Sequence, residues 1–168
     1  MRLRLNLFDV DVQLKINNWR RSAENEDWYD EWCNVELNFK SKYLNYSPSG
    51  ELLMCGEVLE LCDYLKELLS GELKEETHIS FVEPDLEFNL RPTRRIIYGN
   101  DYRDFDVYGD WIIHFWCSGG LGGNSFTMLL SRAKLEAIYN YLKYVVGECS
   151  CDDPSILAML KDGTMLPD

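Results

Sequence analysis

Apolar and polar residues alternate at the start of the chain, with Leu3, Leu5 and Leu7 at odd positions and Val10, Val12, Leu14 and Ile16 at even ones. A period of two puts successive side chains on opposite faces of a strand, so the change of parity predicts a turn or bulge near Phe8-Asp9. Asn17–Asp30 is polar and predicts a loop. Val35, Leu37 and Phe39 then alternate with Glu36, Asn38 and Lys40, the pattern of a further half-buried strand. Tyr46-Ser47-Pro48-Ser49-Gly50 predicts a turn, after which the period changes to 3.6. Val58, Leu61, Cys62, Leu65, Leu68 and Leu69 form one helical stripe, with Glu57, Glu60, Asp63 and Glu67 on the other face. Gly71 stands where a left-handed C-cap belongs.

The next strand, marked by Ile79 and Phe81, stops at the corner Glu83-Pro84-Asp85, and a second restarts at once with Leu86, Phe88 and Leu90 inward. Proline has no amide hydrogen to give a ladder, so it suits the corner and not a strand interior. Arg94–Tyr98 predicts a short strand and Asn100–Asp110 a polar loop. Trp111–Cys117 is apolar on both faces, as in a central strand covered on both sides. The glycine-rich Ser118–Ser125 then turns the chain into a strand over Phe126–Leu130. Ser131 predicts the N-cap of a second helix, whose Leu135, Ile138, Leu142, Val145 and Val146 share one side and which Gly147 ends. Asp153-Pro154 predicts the N-cap and first residue of a short helix through Leu160. These elements predict an α+β fold: a largely antiparallel β-sheet system with two main α-helices, about residues 56–70 and 131–146, and a short C-terminal helix. They are expected to form a single domain over residues 1–150, followed by a tail over 151–168.

Charge narrows the possible partners. The formal net charge is −12, which argues against nucleic acid, whose phosphates would be repelled, and permits, without requiring, a basic partner. From Glu51 to Glu76, eight acidic residues face two lysines, a local balance of −6. No apolar run is long enough to cross a bilayer, and the N-terminus lacks the apolar stretch of a signal peptide, so a cytoplasmic protein is expected. In that compartment the six cysteines are expected to be plain thiols.

Candidate chemistry is sparse. Gly119–Gly123 lacks the lysine of a phosphate-binding loop and leads into a strand, so it reads as a flexible hairpin. His78 and His114, the two histidines, belong to no recognisable nucleophile constellation, and His114 reads as a hydrogen-bonded structural imidazole. Asp85 and Glu87 fall on the polar side of a strand, and Glu83 is expected to order the corner by hydrogen bonding. Arg91, Arg94 and Arg95 balance nearby acid. No catalytic residue, metal ligand or cofactor is expected. The surface of most interest is Glu24-Asn25-Glu26-Asp27-Trp28-Tyr29-Asp30-Glu31-Trp32, where carboxylates surround large aromatics. Its tryptophans read as buried anchors and its carboxylates as contact residues. A small-ligand module, perhaps for carbohydrate, stacking its ligand on Trp28, Trp32, Trp111 and Trp116, is the alternative.

In order, these pieces are an acidic Asp27–Trp32 lead-in to the strand Val35–Phe39, the helix Val58–Leu69 ending at Gly71, the Glu83–Phe88 corner, later strands, and a helix with Leu135 and Leu142. Over roughly residues 9–147 this succession resembles the WapI-type immunity proteins of bacterial polymorphic toxin and contact-dependent inhibition systems. The resemblance implies a small, cytoplasmic, non-enzymatic protein that binds a cognate toxin domain and blocks it. It supplies no residue-level motif. Charge therefore nominates the contact residues: Glu24, Glu26, Asp27, Asp30 and Glu31 in the lead-in, and Glu57, Glu60, Asp63 and Glu67 on the helix, covering a basic toxin's cationic site.

Overall fold

The computed structural model describes residues 1–7, 9–20, 31–83, 85–92, 94–98, 101–115 and 124–168, with the side chains of 94–98 and 101–105 excluded. Two compact units divide the chain: Met1–Cys62 with Ala137–Asp168, and Asp63–Glu136.

In the first unit, β1 (Arg2–Leu7) and β2 (Val10–Asn17) form an antiparallel hairpin in which Leu5 faces Val12 and Leu3 faces Leu14. An odd residue opposite an even one is what the parity switch near Asp9 demands. β3 (Trp32–Lys40) extends the sheet, setting Phe39 beside Val12, Leu37 beside Leu14 and Val35 beside Ile16. These side chains are all buried, so one face of the sheet is a continuous apolar layer. The far edge of β3 carries two short strands, β4 (Asn45–Tyr46) and β5 (Ser49–Met54). The expected turn over Tyr46–Gly50 is thus narrower, Ser47-Pro48, because pairing with β3 recruits the residues on either side.

Helix α1 (Cys55–Ser70) buries Val58, Leu61, Cys62, Leu65 and Leu68. It ends in a Schellman motif. Gly71, at φ +78°, donates to Leu68 O at 3.2 Å, and Glu72 donates to Glu67 O at 2.8 Å.

The tail folds back within the first unit. Asp153 caps α3 (Pro154–Asp162) by accepting the Ser155 amide at 2.9 Å, and β12 (Met165–Leu166) pairs with β1. Ile156 and Met165 are fully buried. Asp168 lies 2.8 Å from Lys15 Nζ and 2.7 Å from the Met1 amino group, and these two cations hold its carboxyl down at about 2. A depressed folded value means the contact is present above the ordinary 3.8 and is lost as pH falls towards 2. Carboxyl NMR titration should therefore give Asp168 a midpoint near 2, moving up towards 3.8 in Lys15→Met. An unchanged midpoint in that variant would remove Lys15 as the cause.

The second unit holds the antiparallel sheet β11-β10-β7-β6, with β6 (Thr77–Ser80), β7 (Leu86–Arg91), β10 (Tyr108–Phe115) and β11 (Asn124–Ser131), and the hairpin of β8 (Arg94–Tyr98) with β9 (Asp101–Phe105). β6 and β7 flank the expected corner, of which Pro84 lies outside the described residues. The expected polar loop over Asn100–Asp110 is corrected: β9 pairs with β8 from Tyr98↔Asp101 to Arg94↔Phe105, and β10 starts at Tyr108. The overlooked signal is Gly99-Asn100, a two-residue hairpin signature between the paired ends. Central position is confirmed for β10, but its burial alternates, with Gly109, Trp111 and Ile113 on the fully buried face.

Ile79, Phe88, Trp111 and Met128 form one cross-strand row of that face, with Phe88 stacked on Trp111 at 5.4 Å. The neighbouring row is Leu90–Gly109–Leu130. Gly109 leaves the gap that Leu135 enters from α2 (Arg132–Val145). A Cβ at residue 109 would meet Asn89 O at 2.7 Å, and the Leu135 and Leu90 methyls at 3.4 Å. The backbone oxygen cannot swing aside as a side chain can. Gly109→Ala is expected to cost about 1–3 kcal/mol in urea unfolding. A loss below about 0.5 kcal/mol would show that β7 moves freely to accommodate it.

α2 also ends in a Schellman motif, with Gly147 at φ +75° donating to Tyr144 O and Glu148 to Lys143 O. Among the described residues no helix is long and apolar enough to cross a membrane.

Candidate functional site

The 3.6-residue period that buries one side of α1 turns Glu60, Asp63 and Glu67 outward, and all three are exposed. The exposed Glu72 and Glu75 continue the acidic surface beyond the helix end. None of these five carboxylates has an ion pair among the described residues, so their charges face solvent uncompensated. Two nearby cations serve the backbone instead. Lys74 Nζ donates to Gly71 O at 2.6 Å and Arg132 Nη2 to Leu69 O at 3.0 Å, both at the negative end of the helix. Arg132 also binds Asp106 and Glu136, each at 3.0 Å, and the Arg132 hydrogen bond is the main reason the Asp106 carboxyl sits below its ordinary range.

Glu57 is separated from this set. It is buried at 8% exposure, and its Oε2 accepts the Met54 amide at 2.7 Å. Position and contact are those of the third helical residue reaching back to the N-cap amide, half of a capping box. The expected contact residue is a structural cap.

In the other acidic candidate, Glu24, Glu26, Asp27 and Asp30 lie outside the described residues, as do Trp28 and Tyr29. Glu31 is described: its carboxylate meets Arg20 at 3.0 Å and its carbonyl accepts the Cys55 amide at 2.7 Å. Trp32 opens β3 half-buried, opposite Met54. Trp111 is 1% exposed and corrects the alternative expectation, since a ring sealed in the sheet core cannot stack on a ligand. Trp116 is outside the described residues.

The two histidines converge on one carboxylate that the sequence did not connect to them. Glu87 lies on the face of β7 opposite Phe88. His114 Nε2 stands 3.2 Å from its Oε1, and His78 Nε2 stands 3.8 Å from its Oε2. His78 Nδ1 is 2.8 Å from Asn89 Oδ1. Cross-strand and diagonal neighbours on β6, β7 and β10 bring these groups together. Asp85 corrects the polar-face expectation: it precedes β7 and is buried, and its carbonyl accepts the His114 amide at 2.9 Å. Glu83 is exposed with no hydrogen bond among the described residues. Arg91 is tied to Asp110, as its expected balancing role requires, and lies over the Tyr108 ring at 5.4 Å.

The five described cysteines are free thiols. Cys33 and Cys55 touch at 3.4 Å, and burial first, then the bond to Cys55, pushes the Cys33 thiol up, away from reactivity. Among the described residues no cluster of three or more histidine, cysteine, aspartate or glutamate side chains suits a metal ion. A cavity of about 240 Å³ opens on the polar face of the first sheet, between Arg2, Gln13, Lys15, Asn38, Ser47 and Ser49.

A family model described as the immunity protein WapI-like family matches residues 7–149. No curated protein and no solved structure matches the chain.

Proposed function

Because the chain belongs to the WapI-like immunity protein family, we propose that it is a non-enzymatic, cytoplasmic immunity protein that binds a cognate toxin domain and blocks it by covering its active or substrate-binding surface. The observation that carries the mechanism is the row of exposed carboxylates Glu60, Asp63 and Glu67 on α1, which have no ion pair among the described residues. A predominantly acidic surface on a chain of net charge −12 steers a basic partner into place and accelerates association. The lead-in carboxylates Glu24, Glu26, Asp27, Asp30 and Glu31 are a second patch able to serve the same partner.

Association kinetics separate the two patches. The binding measurement uses the toxin domain recovered with the tagged chain from its source cells, catalytically inactivated. Glu60→Gln/Asp63→Asn/Glu67→Gln is expected to slow association about tenfold at low salt and to flatten its salt dependence, with a smaller effect on dissociation. Neutralising the lead-in carboxylates in a separate variant assigns whatever salt dependence the helix variant leaves. If association rate and salt slope stay unchanged in both variants, electrostatic steering is wrong even though binding persists.

A further inference from the structure

We propose that Cys33 and Cys55 are a latent disulfide: two thiols held in contact, which a low-molecular-weight disulfide such as oxidised glutathione closes into a bond tying the start of β3 to the start of α1. Neither the site nor its chemistry depends on the immunity reading above.

Strand pairing brings the two residues together. Cys33 is the second residue of β3 and lies opposite Leu53 of β5, and β5 runs through Met54 directly into Cys55, the first residue of α1. The ladder shifts register between Cys33 and Asn34, and an irregularity of that kind re-aims the side chains beside it. Cys55 is fixed from both sides. Its amide donates to Glu31 O at 2.7 Å, and its carbonyl accepts the Trp19 indole N–H at 3.0 Å. The result is two sulfurs 3.4 Å apart, on side chains that are both 0% exposed. Bonded sulfurs stand about 2.05 Å apart, so closure asks for an approach of about 1.4 Å from atoms already in contact.

Burial sets the rate. The Cys33 thiol is kept protonated by burial first and by the Cys55 bond second, with the charges of Glu57 and Glu31 acting in the same direction. A protonated thiol is a poor nucleophile, so the reduced pair resists oxidation until the junction of β3 and α1 opens locally and admits the oxidant. Cys55, as thiolate, then attacks one sulfur of oxidised glutathione and releases one glutathione thiolate. Cys33 gives up its proton and attacks the Cys55 sulfur of this mixed disulfide, releasing the second. The two electrons lost by the cysteine sulfurs reduce the glutathione S–S bond, and the two cysteine protons end on the two glutathione thiols. Where thiols are kept reduced the bond is conditional on oxidant. Once closed it spans 22 residues, restricts the unfolded chain, and ties the strand that follows Glu31 to the helix that carries Glu60, Asp63 and Glu67.

The test uses the full chain carrying Cys149→Ser/Cys151→Ser, which removes the more exposed thiols of the tail. The reduced protein is incubated with oxidised glutathione, without urea and with urea well below the unfolding midpoint, then alkylated and digested for mass spectrometry. The Cys33 and Cys55 peptides are expected to be recovered joined, with the intact chain lighter by two hydrogen atoms, and faster in urea because opening limits the rate. The oxidised chain should melt about 6–12 °C above the reduced one, and dithiothreitol should reverse both changes. Comparing two redox states of one chain leaves the result independent of how any further variant folds; Cys33→Ala should abolish the joined peptide and the shift. Recovery of Cys33 and Cys55 as alkylated thiols overturns the inference, as does a bond from either of them to Cys62. A Cys33–Cys55 bond that forms only in the fully unfolded chain, or that lowers the melting temperature, also overturns it, because the folded contact would then not be poised to close.

Discussion

Trp111→Ala is expected to lower the unfolding free energy by about 3–5 kcal/mol, a large part of what an ordinary domain has to lose. The indole is the largest fully buried side chain among the described residues, at 1% exposure, in a central strand of its sheet. It fills the row from Ile79 to Met128 and stacks on Phe88 with the rings 15° apart, while Phe81 meets Phe88 edge-on at 6.3 Å. Removing the ring deletes buried apolar surface, breaks the middle of an aromatic chain and leaves a cavity that strands on both sides hold open. Trp111→Phe should be far milder, below about 1.5 kcal/mol, for two reasons. The stack survives, and the lost indole N–H is a buried donor with no acceptor among the described residues, so its removal relieves a desolvation cost. Urea unfolding of both variants checks the pair. Equal losses for Ala and Phe would show that the N–H, not the volume, is what the site depends on.

Tyr141 carries the second large effect through one hydrogen bond. Its hydroxyl oxygen accepts the Ile16 amide at 2.9 Å, across 125 residues of sequence, and both groups are buried. β1 and β2 pair only as far as Leu3↔Leu14, so Ile16 lies past the end of that ladder, and the phenol supplies the acceptor there. Tyr141→Phe keeps the ring and strands the amide, at an expected cost of about 1–3 kcal/mol; Tyr141→Ala adds a cavity and should reach about 3–5 kcal/mol. Alkaline pH offers an independent check. Burial pushes the Tyr141 hydroxyl above its ordinary 10.0, a rise that the Ile16 bond only partly opposes. A raised folded value means its contribution is intact below pH 10 and declines above it, where the unfolded chain releases this proton and the folded chain keeps it. Wild type should therefore lose stability above pH 10 more steeply than Tyr141→Phe. Parallel slopes would show that Tyr141 is solvated in the folded protein.

Both residues mark where one-dimensional reading stops. Trp111 was legible as part of a central strand, but its row partners depend on the pairing of β6, β7, β10 and β11. On the second helix the apolar stripe names Leu135, Ile138 and Leu142, all buried. Tyr141 shares that side, yet the acceptor role of its hydroxyl is visible only once β2 lies against it. Val146 is buried as expected, while Val145, also expected in the stripe, is partly exposed and Tyr141, not named in it, is fully buried.

The candidate site divides in the same way. Glu60, Asp63 and Glu67 were legible because opposite faces of a helix follow from the 3.6-residue period alone. Glu57 is three residues before Glu60, so periodicity gives it the same face. What removes it is the unsatisfied amide at the helix start, a competitor that pattern reading ranked below charge. Glu87 and the two histidines were each considered singly, and only strand register brings them together.

Sequence alone therefore determined the faces of the strands, the apolar stripes of both main helices, their stops at Gly71 and Gly147, the Asp153 cap, the net acidity and the family. These are local or compositional properties, set by backbone periodicity, by the tolerance of glycine for positive φ and by counting charges. Tertiary structure decided the pairing of the short strands β4, β5, β9 and β12, the burial of Glu57 and Asp85, the bond from Tyr141 to Ile16, and the contact between Cys33 and Cys55. Each of those depends on groups far apart in the chain satisfying one another's hydrogen bonds or excluding water, and no window of neighbouring residues contains both partners.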